Sequence, residues 1–227
     1  MIVLTGASGG IGRAILPALT ALDDVIAIYR HTFPEFGADS HCTPYQLDLL
    51  SEEQVRKFVA SMGKLLKQIT VVHAAAVKID GLAAKYSTQD WETVMDVNLR
   101  GNFFLTRELL TPMISDKWGR VVHLSAVAGM RAAIGSLAYS TSKTGLLGMS
   151  RALAQEYARF GITSNVLVLG YFNAGMYTSL NATIQGNLLN LIPSGQLGDP
   201  INIVNAVDFL IKSNYVNGTS IHIDGGV

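Results

Sequence analysis

The stretch "VLTGASGGIGRAI", residues 3–15, joins a short apolar run to an amphipathic segment through a glycine-rich turn. Its glycines at 6, 10 and 12 allow a tight turn and a close approach of the backbone to a pyrophosphate. The amino end of a following helix stabilises the charge of such a group. Because the turn follows the first strand of the chain, it predicts the loop at which an open α/β sheet binds a dinucleotide.

Short apolar runs recur along the chain and alternate with longer segments of helical spacing. Runs without polar alternation are typical of strands buried on both faces, and helices between them are typical of right-handed parallel crossovers. The pattern predicts a Rossmann-type α/β fold, a doubly wound parallel sheet with helices on both faces, formed by residues 1–227 as a single domain. The predicted strands are 2–4, 25–29, 69–73, 120–124, 164–169 and 220–223.

Composition narrows the class of protein. The 227 residues are 49% hydrophobic and 15% charged, which indicates a compact globular chain. The 17 basic and 17 acidic side chains are scattered, so we expect neither a nucleic acid nor a membrane as partner. The single cysteine, Cys42, excludes a disulfide framework and a multi-cysteine metal site, and we expect no metal. The opening apolar run is too short for a signal peptide or membrane span, which predicts a cytoplasmic protein.

The end of the second predicted strand, "IAIYRHTF" at residues 26–33, bears on the choice of cofactor. A carboxylate near this point suits the ribose 2′-hydroxyl of NAD, whereas a cation suits the 2′-phosphate of NADP. Arg30 stands here, and no acidic residue follows it before Glu35. The sequence therefore favours NADP(H) over NAD(H), with a solvated surface arginine as the alternative interpretation.

A tyrosine and a lysine lie four positions apart in "LSAVAGMRAAIGSLAYSTSK", residues 124–143. They open a long helical segment for which Gly161 is the predicted end, so Tyr139 and Lys143 share one helix face. A free tyrosine has a pKa of about 10, and a nearby ammonium together with a cationic nicotinamide is expected to lower it. Tyr139 could then exchange a proton with a carbonyl or hydroxyl oxygen while the nicotinamide exchanges hydride.

With these motifs, the sequence resembles the classical short-chain dehydrogenase/reductase family over nearly its whole length, and most of all its β-ketoacyl-carrier-protein reductase branch. "TGASGGIG" at residues 5–12 matches the family's TGxxxGxG, and "YSTSK" matches its YxxxK. The resemblance implies that Asn98, in "DVNLRGNFF", holds a proton-relay water and that Asp48 lies near the adenine after a third strand. It also implies a homo-oligomer, either a tetramer or a dimer. Gly9 stands where many NADP-binding members carry a basic residue, which argues against NADP.

Three departures from the family pattern bear on catalysis. The family's "NNAG" is "HAAA" at residues 73–76, where we interpret His73 as a structural replacement, and Ala174 replaces a threonine that often holds the carboxamide. The family's catalytic serine precedes the tyrosine by thirteen positions, which is Ala126 here, and the serine stands next to it at Ser125. In an extended strand these two side chains face opposite sides of the sheet. Ser125 therefore substitutes only if a bulge or an early strand end re-aims it.

The segment 170–200 is long for a plain connection and rich in Asn, Gly, Thr and Ser. Such a segment predicts a substrate loop that covers a ligand, with a surface excursion as the alternative. Apolar and aromatic side chains in it favour an acyl chain or a neutral ring as substrate. These side chains are Tyr171, Phe172, Met176, Tyr177 and Leu180.

Two hypotheses of function follow. The first is an NADP-dependent oxidoreductase that reduces a keto group of a small molecule, such as a 3-oxoacyl thioester, with Tyr139, Lys143, Asn98 and Ser125 as catalytic residues. The second is a nucleotide-binding protein of the same fold with impaired catalysis and an assembly or regulatory role, which Ala126 motivates. The predicted cofactor-binding residues are Gly6, Ser8, Gly9, Gly10, Ile11, Gly12, Arg30, Asp48, Leu49, Ala74, Ala75, Tyr139, Lys143 and Phe172.

Overall fold

A seven-stranded sheet forms the centre of the computed structural model, which describes residues 1–37, 41–131 and 133–227. Its strands are β1 Ile2–Thr5, β2 Val25–Tyr29, β3 Cys42–Gln46, β4 Ile69–His73, β5 Gly119–Ala126, β6 Ile162–Leu169 and β7 Ser220–Ile223. They lie in the order β3-β2-β1-β4-β5-β6-β7, and all neighbouring pairs are parallel. The order changes direction at β1, and this switch point is where such sheets bind ligands. The predicted Rossmann-type fold is confirmed.

Helices cover both faces of this sheet. They are α1 Gly10–Leu19, α2 Glu52–Met62, α3 Thr88–Met95, α4 Gly101–Asp116, α5 Val127–Arg131, α6 Leu137–Tyr157, α7 Ala182–Leu189 and α8 Ile201–Lys212. Alternate side chains of each central strand contact the helices on opposite faces of the sheet. In β5, Val122 and Leu124 pack with α1 and α8, whereas Val121 packs with α2 and α4. The carboxyl ends of the strands therefore emerge between two well-packed layers.

The edge strand β3 is absent from the apolar runs predicted from the sequence, and only the family resemblance implied it. Its residues "CTPYQ" are partly exposed and include Pro44. A proline is tolerated at a sheet edge, where a ladder hydrogen bond can be missing, and an edge strand needs no continuous apolar run. Hydrophobic pattern alone could not reveal this strand.

The helix that carries the tyrosine–lysine pair is the longest of the fold as described. α6 continues into a 3-10 turn, Ala158–Phe160, and ends at Gly161, whose φ of +74° is left-handed. Glycine adopts this conformation without steric cost, as the predicted helix end requires. Within the described ranges, no helix combines the length and apolar character needed to cross a membrane.

Candidate active site

One cavity of about 1060 Å³ joins the glycine-rich turn to the tyrosine–lysine pair. Its volume lies at the upper end of the range for small-molecule sites, which suits a cofactor together with a substrate. Three predicted residues, Gly12, Asp48 and Asn98, pack beside the cavity rather than lining it. The other predicted residues line it, namely Gly6, Ser8, Gly9, Gly10, Ile11, Arg30, Leu49, Ala74, Ala75, Ser125, Tyr139, Lys143 and Phe172.

The glycine-rich turn is so closely packed that three of its glycines cannot carry a side chain. A Cβ at Gly6, where φ is +64°, would lie 2.7 Å from the backbone of Ala75, and one at Gly10 would lie 2.1 Å from Cα of Gly175. A Cβ at Gly12 would lie 2.1 Å from the carbonyl oxygen of Gly6. The turn thus brings bare backbone and the first N–H groups of α1 to the cavity, an arrangement that fits a pyrophosphate.

The end of β2 supplies the cation predicted for a 2′-phosphate, but that cation is paired. A guanidinium nitrogen of Arg30 lies 3.0 Å from a carboxylate oxygen of Asp48. The other carboxylate oxygen of Asp48 accepts a hydrogen bond from the backbone N–H of Leu50. Arg30 lines the cavity together with His31 and Thr32, two neighbours that the sequence analysis did not select. Their position directly after the second strand is the signal that could have indicated them.

Tyr139 and Lys143 lie on successive turns of α6 and face the same end of the cavity, as their spacing predicted. Only 8% of Tyr139 and 3% of Lys143 are exposed. The Lys143 Nζ lies 5.7 Å from the centroid of the Tyr139 ring and donates a hydrogen bond of 2.8 Å to the carbonyl of Leu124. The pair combines a buried phenol with a buried ammonium, the groups needed for proton exchange at a carbonyl oxygen.

Burial governs the proton affinity of both groups. It raises the pKa of Tyr139 to about 12 and lowers the pKa of Lys143 to about 8. In the protein without cofactor the pKa of Tyr139 thus moves upward, and its lowering by Lys143 together with a cationic nicotinamide stays a prediction. The cause of the upward shift is loss of hydration of the phenolate.

Asn98 connects the chain after β4 to α6. It lies in a π-helical turn, Asp96–Arg100, between α3 and α4, and is fully buried. Its side chain accepts from the N–H of Val77 and donates to the Val77 carbonyl and to the hydroxyl of Ser142, next to Lys143. Its own carbonyl accepts from Asn102 at 3.2 Å. A π-turn widens the helix at this point and often marks a functional site.

The strand β5 runs without a bulge through both Ser125 and Ala126, which pair in register with Val168 and Leu169 of β6. Neither a bulge nor an early strand end re-aims Ser125. Its hydroxyl donates to the Lys143 carbonyl at 2.9 Å. Ala126 instead packs against the small cluster that contains Tyr139. A hydroxyl at position 126 would thus lie beside the tyrosine, whereas the hydroxyl at 125 reaches the backbone of α6.

The segment 170–200 lines the cavity with a 3-10 turn, Gly175–Ser179, and with α7. Its five selected apolar and aromatic side chains all line the cavity, and α7 adds Ile184 and Leu188. Ser136, which was not among the predicted residues, is buried, lines the cavity and precedes α6 by one position. Its place one helical turn before Tyr139 is the signal that could have revealed it.

Comparison with known proteins relates this geometry to a family. The family model described as short chain dehydrogenase matches residues 1–185. The 3-oxoacyl-[acyl-carrier-protein] reductase FabG of Rickettsia bellii is 34% identical over 99% of this chain and 95% of its own length. The enzyme of the same name from Aquifex aeolicus is 32% identical over 99% and 96%. Nodulation protein G of a Rhizobium species is 31% identical over 99% and 95%.

A solved structure agrees with the fold. The crystal structure of an Agrobacterium tumefaciens protein, provisionally named a gluconate dehydrogenase, superposes with a TM-score of 0.90 and covers 100% of this chain and 94% of its own. Its sequence identity is 24%. Together, the family match, the full-length relatives and the tyrosine–lysine cavity show that the chain is an oxidoreductase that belongs to the short-chain dehydrogenase family.

Proposed function

We propose that the protein uses NADPH to reduce a ketone to a secondary alcohol and that its substrates are 3-oxoacyl thioesters. The observation that carries this proposal is one cavity lined together by the glycine-rich turn, by Tyr139 and Lys143, and by apolar side chains of the segment 170–200. The names of the full-length relatives support the thioester. Arg30 at the end of β2 supports NADPH.

The described residues fit a dinucleotide because the glycine-rich turn leaves backbone N–H groups open to a pyrophosphate. Arg30 would hold the 2′-phosphate, with Asp48 beside it near the adenine, and Ala74 and Ala75 would allow close approach along the cavity floor. Lys143 would hold the nicotinamide ribose. When bound, a reduced nicotinamide supplies the hydride of the reaction.

Tyr139 is the proposed proton donor. With a pKa of about 12, its phenol is fully protonated at neutral pH and can donate to an oxygen that gains negative charge. The Lys143 ammonium then stabilises the resulting phenolate, which lies in a site where charge is poorly screened. Asn98 holds the surrounding turn in place and supports return of a proton to the tyrosine.

The second donor to the reacting oxygen is the part of the site that departs from the family. Ser125 lines the cavity next to Ala126, but β5 does not aim its hydroxyl at the tyrosine side, so we propose that either Ser125 after a rearrangement or a group of the substrate supplies this donor. The present hydrogen bond of Ser125 to the Lys143 carbonyl uses its only proton. Ser125 must exchange that bond for one to the substrate, or a group of the substrate itself replaces it.

The substrate end of the cavity suits an uncharged chain. Met176, Leu180 and Leu188 line it. Lys78 and Asp80, two charged lining residues, pair with each other at 2.7 Å. Because the charges of Lys78 and Asp80 largely cancel, this pair gives the cavity little net charge to attract a highly charged substrate.

The test is steady-state oxidation of NADPH and of NADH with 3-oxoacyl thioesters of increasing chain length, neutral cyclic ketones and charged keto acids. We expect turnover with the thioesters, improvement with chain length and preference for NADPH. Cofactor binding without turnover of any ketone would contradict the proposal and favour a nucleotide-binding protein with impaired catalysis.

We also propose that the protein is a homo-oligomer, a dimer or a tetramer. The exposed groove on α6 lined by Thr141, Thr144, Gly145 and Gly148 supports this assignment because small residues permit close helix packing. Gly148 has open space beside its Cα, whereas Gly145 already faces Leu99 of its own subunit. Light scattering that gives the mass of a monomer would refute the assignment.

A further inference from the structure

Two histidines lie face to face beside Lys143, and the proposed reaction does not use them. His73 ends β4, and His123 is its register partner on β5. Both are 0% exposed, and their rings are parallel within 8° with centroids 5.0 Å apart. The Nε2 of His73 lies 2.8 Å from the hydroxyl of Thr106, so the stacked rings face the layer of α4.

Several polar atoms of this region have no partner in the protein. Asn102, one turn before Thr106 on α4, donates through Nδ2 to the carbonyl of Asn98. Its Oδ1, the Nδ1 of His73 and both ring nitrogens of His123 are buried without a hydrogen-bond partner among the described residues. An unsatisfied buried polar group costs roughly 1–3 kcal/mol, so four such atoms in one region require a ligand.

The chemistry of the four atoms specifies that ligand. A neutral imidazole offers one N–H donor and one acceptor nitrogen, and the amide oxygen of Asn102 only accepts. A molecule that both donates and accepts, and that fits between packed helices and strands, is required. Buried water meets these conditions and typically makes about three such bonds.

The same region adjoins the ammonium of Lys143. Its Nζ donates to the carbonyl of Leu124, the residue after His123. Leu124 lies one position beyond the end of β4, whose last residue, His73, is the register partner of His123. The bond to Leu124 uses one of the three N–H donors of the ammonium. The titratable neighbours of Lys143 are Tyr139 on its own helix, His123 on β5 and His73 on β4, while α4 contributes the uncharged Asn102 and Thr106.

Both imidazoles remain neutral in this environment. Burial and the charge of Lys143 lower the pKa of His123 to about 3 and hold the pKa of His73 well below its usual value. Each ring therefore keeps an acceptor nitrogen at working pH. A cluster of neutral acceptors beside a desolvated ammonium stabilises its protonated form.

We propose that His73, Asn102, Thr106 and His123, here called the histidine cluster, bind buried water that hydrogen-bonds to the Lys143 ammonium and keeps it protonated and in place. The water accepts a hydrogen bond from an N–H of Lys143 and donates one to an imidazole nitrogen. No proton is transferred, and the lysine stays charged. His123 is thus a positioning residue that acts through Lys143. The inference rests on the proposed function only in assigning the cofactor ribose to Lys143.

The first test is the pH dependence of NADPH affinity, measured by fluorescence titration. Deprotonation of Lys143 should set an alkaline limb in the wild-type protein, above the pKa of about 8 that burial alone gives this lysine. His123→Phe keeps the stacked ring but removes both nitrogens, and we expect it to move this limb down by about one pH unit. His123→Gln, which retains a polar group, should keep the limb close to its wild-type position.

Thr163→Val is the matched control because the Thr163 hydroxyl is another buried unpaired group, placed at the opposite end of the sheet beside Arg120. It should leave the limb unchanged. An unmoved limb in folded His123→Phe, or an equal shift in Thr163→Val, would overturn the proposal.

The second test does not depend on any variant or on cofactor binding. A crystal structure of the wild-type protein at a resolution that reveals water should show density within about 3 Å of a His123 nitrogen and of Asn102 Oδ1. Direct pairing of these groups without water would overturn the proposal. Failure of the wild-type protein to bind either nicotinamide cofactor would instead defeat the proposed function, and the crystallographic result would still decide the role of the cluster.

Discussion

The hydroxyl of Ser125 donates a 2.9 Å hydrogen bond to the backbone carbonyl of Lys143. This contact ties the end of β5 to the second turn of α6, the helix that carries both proposed proton-transfer groups. The neighbouring Ala126 faces the Tyr139 cluster with a methyl group. The serine therefore anchors α6, and the position beside the tyrosine carries no hydroxyl.

This relationship predicts a rescue experiment. If Ser125 rearranges to donate to the developing oxyanion, Ser125→Ala should lower kcat by roughly 10²-fold, because loss of one such donor has an effect of this size. Adding Ala126→Ser to that variant should recover at least part of the loss, since the new hydroxyl lies on the tyrosine side. Steady-state kinetics measure both effects, and thermal denaturation separates them from loss of stability. An unchanged kcat in Ser125→Ala would remove Ser125 from the catalytic groups.

Tyr139→Phe should reduce kcat by roughly 10²- to 10⁴-fold, the usual contribution of a general acid. Affinity for NADPH should change little, because the ring remains and only the phenolic hydroxyl is lost. Tyr157→Phe, at the far end of the same helix, is the control and should retain full activity. Residual turnover as high as that of the wild type would show that the proton comes from another group.

Arg30→Ala should weaken NADPH binding by roughly 10- to 100-fold, which corresponds to loss of one charged hydrogen bond. NADH binding should remain within about twofold, since NADH lacks the 2′-phosphate. Isothermal titration of both cofactors measures the difference. Arg56→Ala, an exposed arginine of α2 paired with Glu52, should affect neither cofactor. Equal losses for NADPH and NADH would mean that Arg30 supports the fold rather than the phosphate.

Acid should destabilise the protein through its buried histidines. The pKa of His123 is about 3 in the fold and about 6.5 in an unfolded chain, and that of His73 is also lowered. Because unfolding then takes up protons, stability is fully present above pH 6.5 and falls as the pH drops toward 3. At pH 5 the loss from His123 alone is about 2 kcal/mol, and His73 adds to it in the same direction.

Urea denaturation between pH 5 and pH 8 measures this dependence. His123→Asn should make the slope of unfolding free energy against pH clearly shallower. Thr163→Val, which removes a buried hydroxyl that does not titrate, should leave it as in the wild type. The assignment fails if the slope persists in His123→Asn.

Gly12→Ala should abolish cofactor binding and lower the melting temperature, because its Cβ would lie 2.1 Å from the Gly6 carbonyl oxygen. A contact this short forces the glycine-rich turn to move. Gly186→Ala in α7 is the matched control, since nothing lies within 4 Å of its added Cβ. It should stabilise the protein by about 0.5–1 kcal/mol. Calorimetry and cofactor titration of the two variants together provide the check, and normal binding by Gly12→Ala would contradict the proposed cradle.

Local pattern was sufficient for the elements whose geometry depends on near neighbours in the chain. The glycine spacing at 6, 10 and 12 predicted the turn between β1 and α1, and a separation of four residues placed Tyr139 and Lys143 on one helix face. Continuous apolar runs located the buried strands. The edge strand β3 was not predicted from the apolar runs, because its residues are partly exposed and lack the hydrophobic pattern by which buried strands are recognised.

The sequence by itself thus determined the fold class, the family and the tyrosine–lysine pair, because helix and strand periods convert spacing into shared faces. Only the tertiary structure decided which way Ser125 points, that burial raises rather than lowers the pKa of Tyr139, and that His73 meets His123 beside Lys143. These properties depend on packing between residues far apart in the chain and on loss of hydration. Neither the packing of distant residues nor the loss of hydration can be recognised from a local pattern in the sequence.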